Sequence, residues 1–340
     1  MYRRIVIVSK GSPKMTEFRF QSGIDGRGLT LRRRSLYLAR ALLGVPVFIR
    51  DFPAAKGTRQ AKSKKSTQFM NDICNATNGS GLEFLDSIVK NAKRNLTKSF
   101  DSEALLKFQL ETFLSQQTIN QIVSDLDEFG CAVIRQWATR DLATQLKDQL
   151  DQISGSEYTG ERFDDFDSWL KSGLKPRLVL DQQAVKSSVD NFNLDISGLM
   201  VVARKYLGSK PYLLGPQSWY TKPTTDRTDM DLEEAAMAFH CDSDFFGFVK
   251  AFLLCTDVTE ENGPLAFLKG SHKGKRHVQG RLSDVQLAVR PEERMLATGE
   301  TGDLFLVATK GWHKATPPNS GHRLMVQWLF STGYFGSASY

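Results

Sequence analysis

His240 and Asp242 form an H-x-D triplet, and His313 and then Arg323 follow well downstream. Alternate side chains of a strand share a face, so a strand through 240–242 points both donors one way and Cys241 the other. Two imidazoles and one carboxylate on one side of a first-row metal leave positions open for substrate and oxygen. The third donor must come from elsewhere, and His272, His277, His313 and His322 are the remaining histidines. His313 is the best placed: it follows a predicted strand, and Arg323 opens another. An arginine there has a clear use, because its planar fork grips a carboxylate bidentately where a lysine cannot. By itself an H-x-D is equally a hydrogen-bonded histidine beside a surface aspartate. His277 and His322 sit in polar stretches and read as solvated, while His272 follows a Gly-Ser turn and reads as structural.

Those residues need strands and turns to bring them together. Ser115 caps a predicted helix with Ile119, Ile122, Val123 and Leu126 on one face, and Gly130 stops it. Cys131–Ile134 reads as a short strand, and Thr139 caps a second helix carrying Leu142, Leu146 and Leu150. Tyr158–Lys175 is acidic and aromatic and reads as an exposed loop or lid anchored by Trp169. Leu194–Leu207 is helical, Gln217–Tyr220 a strand, and Lys222–Glu234 a polar surface excursion. From Ala238 on, short strands alternate with turns: Phe248–Leu254, Leu265–Leu268, Leu304–Val307 and Arg323–Phe330. This describes an α+β chain with a mainly β core, a sandwich or jelly roll with helices packed outside it.

Composition sets the limits. The 340 residues suffice for one large domain or two ordinary ones. No apolar run approaches the roughly 18 residues of a membrane span, and the N-terminal apolar run is too short for a secretory signal. A soluble cytoplasmic protein is the expectation. The first hundred residues carry 20 Lys+Arg against 6 Asp+Glu, whereas the rest carry 25 against 32. Residues 1–100 therefore read as a basic, partly helical extension, with Ile5–Val8 a strand and Leu31–Leu43 and Leu82–Leu96 helical. Residues 101–340 form the main domain. The basic segment is either a solvated face or a patch for an acidic or phosphorylated small molecule; no nucleic-acid motif accompanies it.

The run DVTEENGPLAFLKGSH, residues 257–272, resembles the signature of the phytanoyl-CoA dioxygenase family of Fe(II)/2-oxoglutarate oxygenases. With His240, Asp242, His313 and Arg323 in order, the resemblance covers about residues 113–330. It implies a double-stranded β-helix, cupin-like and flanked by helices. It further implies His240, Asp242 and His313 as iron ligands, with Arg323 on the distal carboxylate of 2-oxoglutarate and O2 as the second cosubstrate. By the same resemblance Gln217 and Phe246 line the cosubstrate, as donor and wall, and Thr316 or Ser271 supplies a hydroxyl. The implied activity is hydroxylation of an unactivated carbon of a small molecule, with release of succinate and CO2. In related halogenases the aspartate is replaced by a small residue, so Asp242 implies hydroxylation, desaturation or ring chemistry. Lys269 stands where the family often has proline. The alternative is a non-catalytic binding protein whose basic segment engages an acidic partner.

Overall fold

The computed structural model describes residues 5–7, 16–18, 64–77, 80–97, 112–223, 236–273 and 281–333. The Leu31–Leu43 pattern, His277 and most of the Lys222–Glu234 excursion lie outside them. Strand β1 (Ile5–Ile7) pairs antiparallel with β2 (Thr16–Phe18), and helices α1 (Lys64–Thr77) and α2 (Ser80–Thr97) follow. Helix α3 (Gln116–Phe129) forms as its sequence dictates. Ser115 accepts the Thr118 N–H, the four predicted apolar residues are buried, and Gly130 closes it at φ 81°. Strand β3 (Cys131–Ile134) and helix α4 (Arg140–Leu150), capped by Thr139, come next.

The stretch from Tyr158 departs from the expected loop in holding regular structure. After the short strands β4 (Gly155–Ser156) and β5 (Arg162–Phe163), residues Phe166–Ser172 form helix α5. Asp165 and Ser168 cap each other's backbone, a signal that apolar periodicity does not carry. Trp169 is fully buried and donates to Glu157 Oε1 at 2.8 Å, so it anchors a largely exposed segment to the core, as its sequence suggests. Strand β6 (Arg177–Leu180), helices α6 (Gln182–Val189) and α7 (Ile196–Leu207), and strand β7 (Tyr212–Thr221) complete the first half.

The second half supplies β8 (Phe248–Leu254), β9 (Leu265–Leu268), β10 (Arg294–Leu296), β11 (Leu304–Val307), β12 (His313–Ala315) and β13 (Arg323–Ser331). Eight strands form one antiparallel sheet in the order β3-β11-β8-β13-β7-β6-β4-β5, and β10-β9-β12 form a second. The two layers make an open jelly roll, not a closed barrel. Side-chain alternation sorts the large sheet into two faces. Val249, Ala251 and Leu253 join the cluster under the helices, with Leu126, Leu146, Trp169 and Val202. Phe252 and Leu254 point the other way, into a cluster with Trp219, Phe267, Phe305 and Met325. That second cluster contains residues of both sheets, and the candidate site is built on the same inner face.

The segment after Asp242 is braced by the N-terminal helices. Phe245 and Phe246 share a buried cluster with Phe69, Met70, Cys74 and Leu82 of α1 and α2. Asp86 of α2 accepts from Thr332 Oγ1 at 3.1 Å, and a Cβ on Gly247 would stand 2.4 Å from its carboxylate. Among the described residues no helix is long and apolar enough to cross a membrane.

Gly130 offers a direct stability test. Its φ of 81° strains any other residue, and a Cβ there would meet His272 Nδ1 at 2.4 Å. Gly130→Ala is expected to cost about 2 kcal/mol or more, read as a lower urea midpoint with an unchanged slope.

Candidate metal centre

The sequence forms the site by cross-strand pairing. His240 and His313 are bridged, each N–H donating to the other's carbonyl at 2.9 and 3.0 Å, and His313 pairs with Phe267 on its other side. Residues directly opposite in a sheet project to one face, so both imidazoles share the inward face of Phe267. Their ring centroids are 4.3 Å apart. Each Nδ1 is 2.9–3.0 Å from a carbonyl two residues back, Ala238 for His240 and Gly311 for His313. A carbonyl only accepts, so each Nδ1 carries the proton and each Nε2 is left as a lone-pair donor.

The Asp242 carboxylate completes the set. Its Oδ1 is 3.7 Å from His240 Nε2 and its Oδ2 is 3.3 Å from His313 Nε2. One donor atom from each of the three residues lies within 4.8 Å of the others. Ligands about 2.1 Å from one ion stand roughly 3 Å apart, so the group needs only a small contraction to close on a first-row metal. The protonation states suit a cation as well. Burial, then the neighbouring His313, pushes His240 down to about 3, so its ring is neutral. Burial alone would raise the Asp242 carboxyl, but the Lys250 ammonium outweighs it and holds the group well below the usual carboxylate range.

The signature run explains how His313 is held. Strand β9 lies beside β12, and the motif locks both ends of the pair. At one end Thr316 donates from N and Oγ1 to the Pro264 carbonyl, at 2.9 and 2.6 Å, beside the Gly263 turn at φ 80°. At the other end Ser271 Oγ accepts the Trp312 N–H at 2.9 Å, and Gly270 N donates to the Phe129 carbonyl at 2.8 Å. His272 stands 3.3 Å from the Asp127 carbonyl through Nε2, tying the clamp to α3 in the structural role read from its sequence. Thr316 thus gives its hydroxyl proton to the Pro264 carbonyl. Phe246, expected at the cosubstrate, lies in the cluster with α1 and α2. His322 is half-buried, its ring packed 4.8 Å from that of Phe166.

A second feature lies on the large sheet. Arg323 is 1% exposed, yet its Nε and Nη1 have no hydrogen-bond partner, and its Nη2 reaches Thr221 Oγ1 at 3.4 Å. Burial, then the charge of Arg177, lowers its pKa to about 9, so it stays cationic at neutral pH. The register places Arg177, Thr221 and Arg323 side by side on three adjacent strands. The next inward row holds Trp219 and Met325, with Arg177 stacked 4.4 Å over the Trp219 ring. One row further, Gln217 accepts from Gln327 Nε2 at 3.3 Å. A buried guanidinium with two unmet N–H positions is costly in isolation, and a carboxylate supplies what it lacks.

Sequence reasoning missed Lys250, Arg177 and Thr221. Lys250 carried a signal, a lone cation inside the apolar run of β8. Arg177 and Thr221 carried none, because only register shows which residues flank Arg323.

A family model described as phytanoyl-CoA dioxygenase (PhyH) matches residues 110–325. No curated protein matches the chain. Among solved structures the chain is similar to EvdO2 from Micromonospora carbonacea var. aurantiaca, at 15% identity over 64% of this chain and 93% of that one, with a TM-score of 0.47. It is also similar to the epimerase SnoN in complex with Fe3+, alpha ketoglutarate and nogalamycin RO, at 15% identity, 64% and 84% coverage and a TM-score of 0.47. HygX from Streptomyces hygroscopicus, with nickel, 2-oxoglutarate and hygromycin B bound, gives 15%, 67% and 89%, and 0.44.

Proposed function

Because the chain belongs to the phytanoyl-CoA dioxygenase family, we propose that it is an Fe(II)- and 2-oxoglutarate-dependent oxygenase that hydroxylates a small molecule. One observation carries this reading: a three-donor His-Asp-His group and a buried arginine with two unmet N–H positions both face the inner side of the two sheets. His240, Asp242 and His313 would hold the metal through two Nε2 atoms and one carboxylate oxygen. Bound iron with 2-oxoglutarate and O2 supplies the oxidation of an unactivated carbon, with succinate and CO2 as by-products.

The chain's own residues supply position and dryness. Arg323 presents Nε and Nη1 to the distal carboxylate, and Thr221 steadies the guanidinium from beside it. Arg177 adds a second positive charge to that end, and Gln217 and Gln327 offer amides two rows nearer the other end of the sheet. Phe252, Phe305 and Met325 give that inner side an apolar, dry surface. The retained Asp242 supports hydroxylation over halogenation, and the intact donor set supports catalysis over a purely binding role.

The test is succinate release by the purified protein with a panel of small molecules, with and without added Fe(II). Release that needs both iron and one of the small molecules, with a product heavier by one oxygen, is the expected result. An isomer or a product lighter by two hydrogens would replace hydroxylation with epimerisation, desaturation or ring closure. Arg177→Gln is expected to weaken 2-oxoglutarate binding about tenfold by removing one charge from the carboxylate end, measured by calorimetry. Arg177→Lys should recover part of it.

A further inference from the structure

A second carboxylate shares a lysine with Asp242. Asp244 stands two residues beyond Asp242, and its side chain is only 7% exposed. The Lys250 ammonium lies 2.8 Å from Asp242 Oδ2 and 2.9 Å from Asp244 Oδ2, so one cation holds both groups. Lys250 reaches them from β8, where its cross-strand neighbours are Val307 and Leu329 and where it is 7% exposed. A buried ammonium needs anionic partners, and here they are the proposed ligand and its near neighbour.

A divalent cation with several vacant positions takes up any carboxylate within reach, and added oxygen donors shift a site toward Mn2+, Mg2+ and Ca2+. Asp244, tied to Asp242 through the same ammonium, is a candidate for such a donor, and so is the second oxygen of Asp242. Either one, once bound, would occupy a position that the cosubstrate requires. We propose that Lys250 sets the coordination number of the metal centre: it engages Asp244 and one oxygen of Asp242, so the metal takes a single carboxylate oxygen and keeps its remaining positions open. Lys250 is thus a positioning residue, and the inference rests on the metal reading above.

Lys250→Met removes the charge and keeps the length. Wild-type and variant protein are titrated with Mn2+, the water-proton relaxivity of each complex is recorded, and 2-oxoglutarate is then added. In the variant Mn2+ is expected to bind about tenfold tighter, through the extra anionic oxygen. Relaxivity should drop as Asp244 displaces a metal-bound water, and 2-oxoglutarate uptake should weaken by about tenfold or more. Adding Asp244→Asn to Lys250→Met should restore both relaxivity and uptake, because it removes the extra donor and returns the local charge to its wild-type value. Lys250→Gln, which keeps a polar tip, serves if the methionine variant does not fold. If Lys250 were only structural, the second substitution would add damage and rescue nothing. Wild-type relaxivity and uptake in the Lys250 variant, or a double variant no better than the single, overturns the proposal. Wild-type protein that binds no Mn2+ removes the metal reading itself, and this inference with it.

Discussion

Asp242→Ala protein is expected to fold, to bind divalent metal at least about 100-fold more weakly than wild type, and to release no succinate. Asp242 is the only charged donor of the three, so its loss leaves two neutral imidazoles facing a divalent ion. Loss of a residue that merely orients a ligand already costs 10–100-fold in affinity by the usual order of magnitude, and loss of a ligand exceeds that. The fold should survive, because Asp244 still pairs with Lys250 at 2.9 Å and the His240–His313 bridge is made by backbone. Calorimetry with Mn2+ and thermal melting of the same samples separate the two effects. Undiminished metal stoichiometry together with wild-type succinate release would take Asp242 out of the site.

Arg323→Met is expected to raise the Kd for 2-oxoglutarate about 100-fold while leaving the cosubstrate-free protein as stable as wild type or more so. A charge-assisted hydrogen bond is worth about 1.5–3 kcal/mol, and Arg323 has two unmet donors for one carboxylate. With Arg177 left in place a loss near 3 kcal/mol, or roughly 100-fold, is reasonable. The stability arm separates a ligand-binding arginine from a structural one. A fully buried guanidinium without an anion burdens the folded state, so a methionine that fills the same space relieves it. Lower stability with unchanged 2-oxoglutarate affinity would identify a structural arginine.

Much of this architecture was legible in the sequence where local signals are self-sufficient. The Ser115 cap, the Ile119–Leu126 spacing and the Gly130 stop need only neighbours along the chain, and each appears where expected. The signature run marked the strand that clamps His313, although its chemistry, two backbone locks around β9 and β12, emerges only from pairing. Three features were hidden for physical reasons. Helix α5 begins with a reciprocal cap between Asp165 and Ser168 in a stretch whose acidity suggested solvent. Phe246 is implied as a site wall by resemblance, and its packing against α1 and α2 comes from residues more than 150 positions upstream. Arg177 comes beside Arg323 only because β6 and β13 flank β7, and a strand order of that kind is not written in any one segment.

The proposed site needs a metal at His240, Asp242 and His313 and a carboxylate at Arg323 to be bridged by one cosubstrate. Anaerobic calorimetry of the wild-type protein with 2-oxoglutarate, run with and without one equivalent of Fe(II), tests that bridging directly. The expected result is one Fe(II) per chain and 2-oxoglutarate binding that becomes markedly tighter once the metal is present, as a chelating cosubstrate requires. Binding of 2-oxoglutarate that is indifferent to iron, or no stoichiometric iron binding at all, would contradict it.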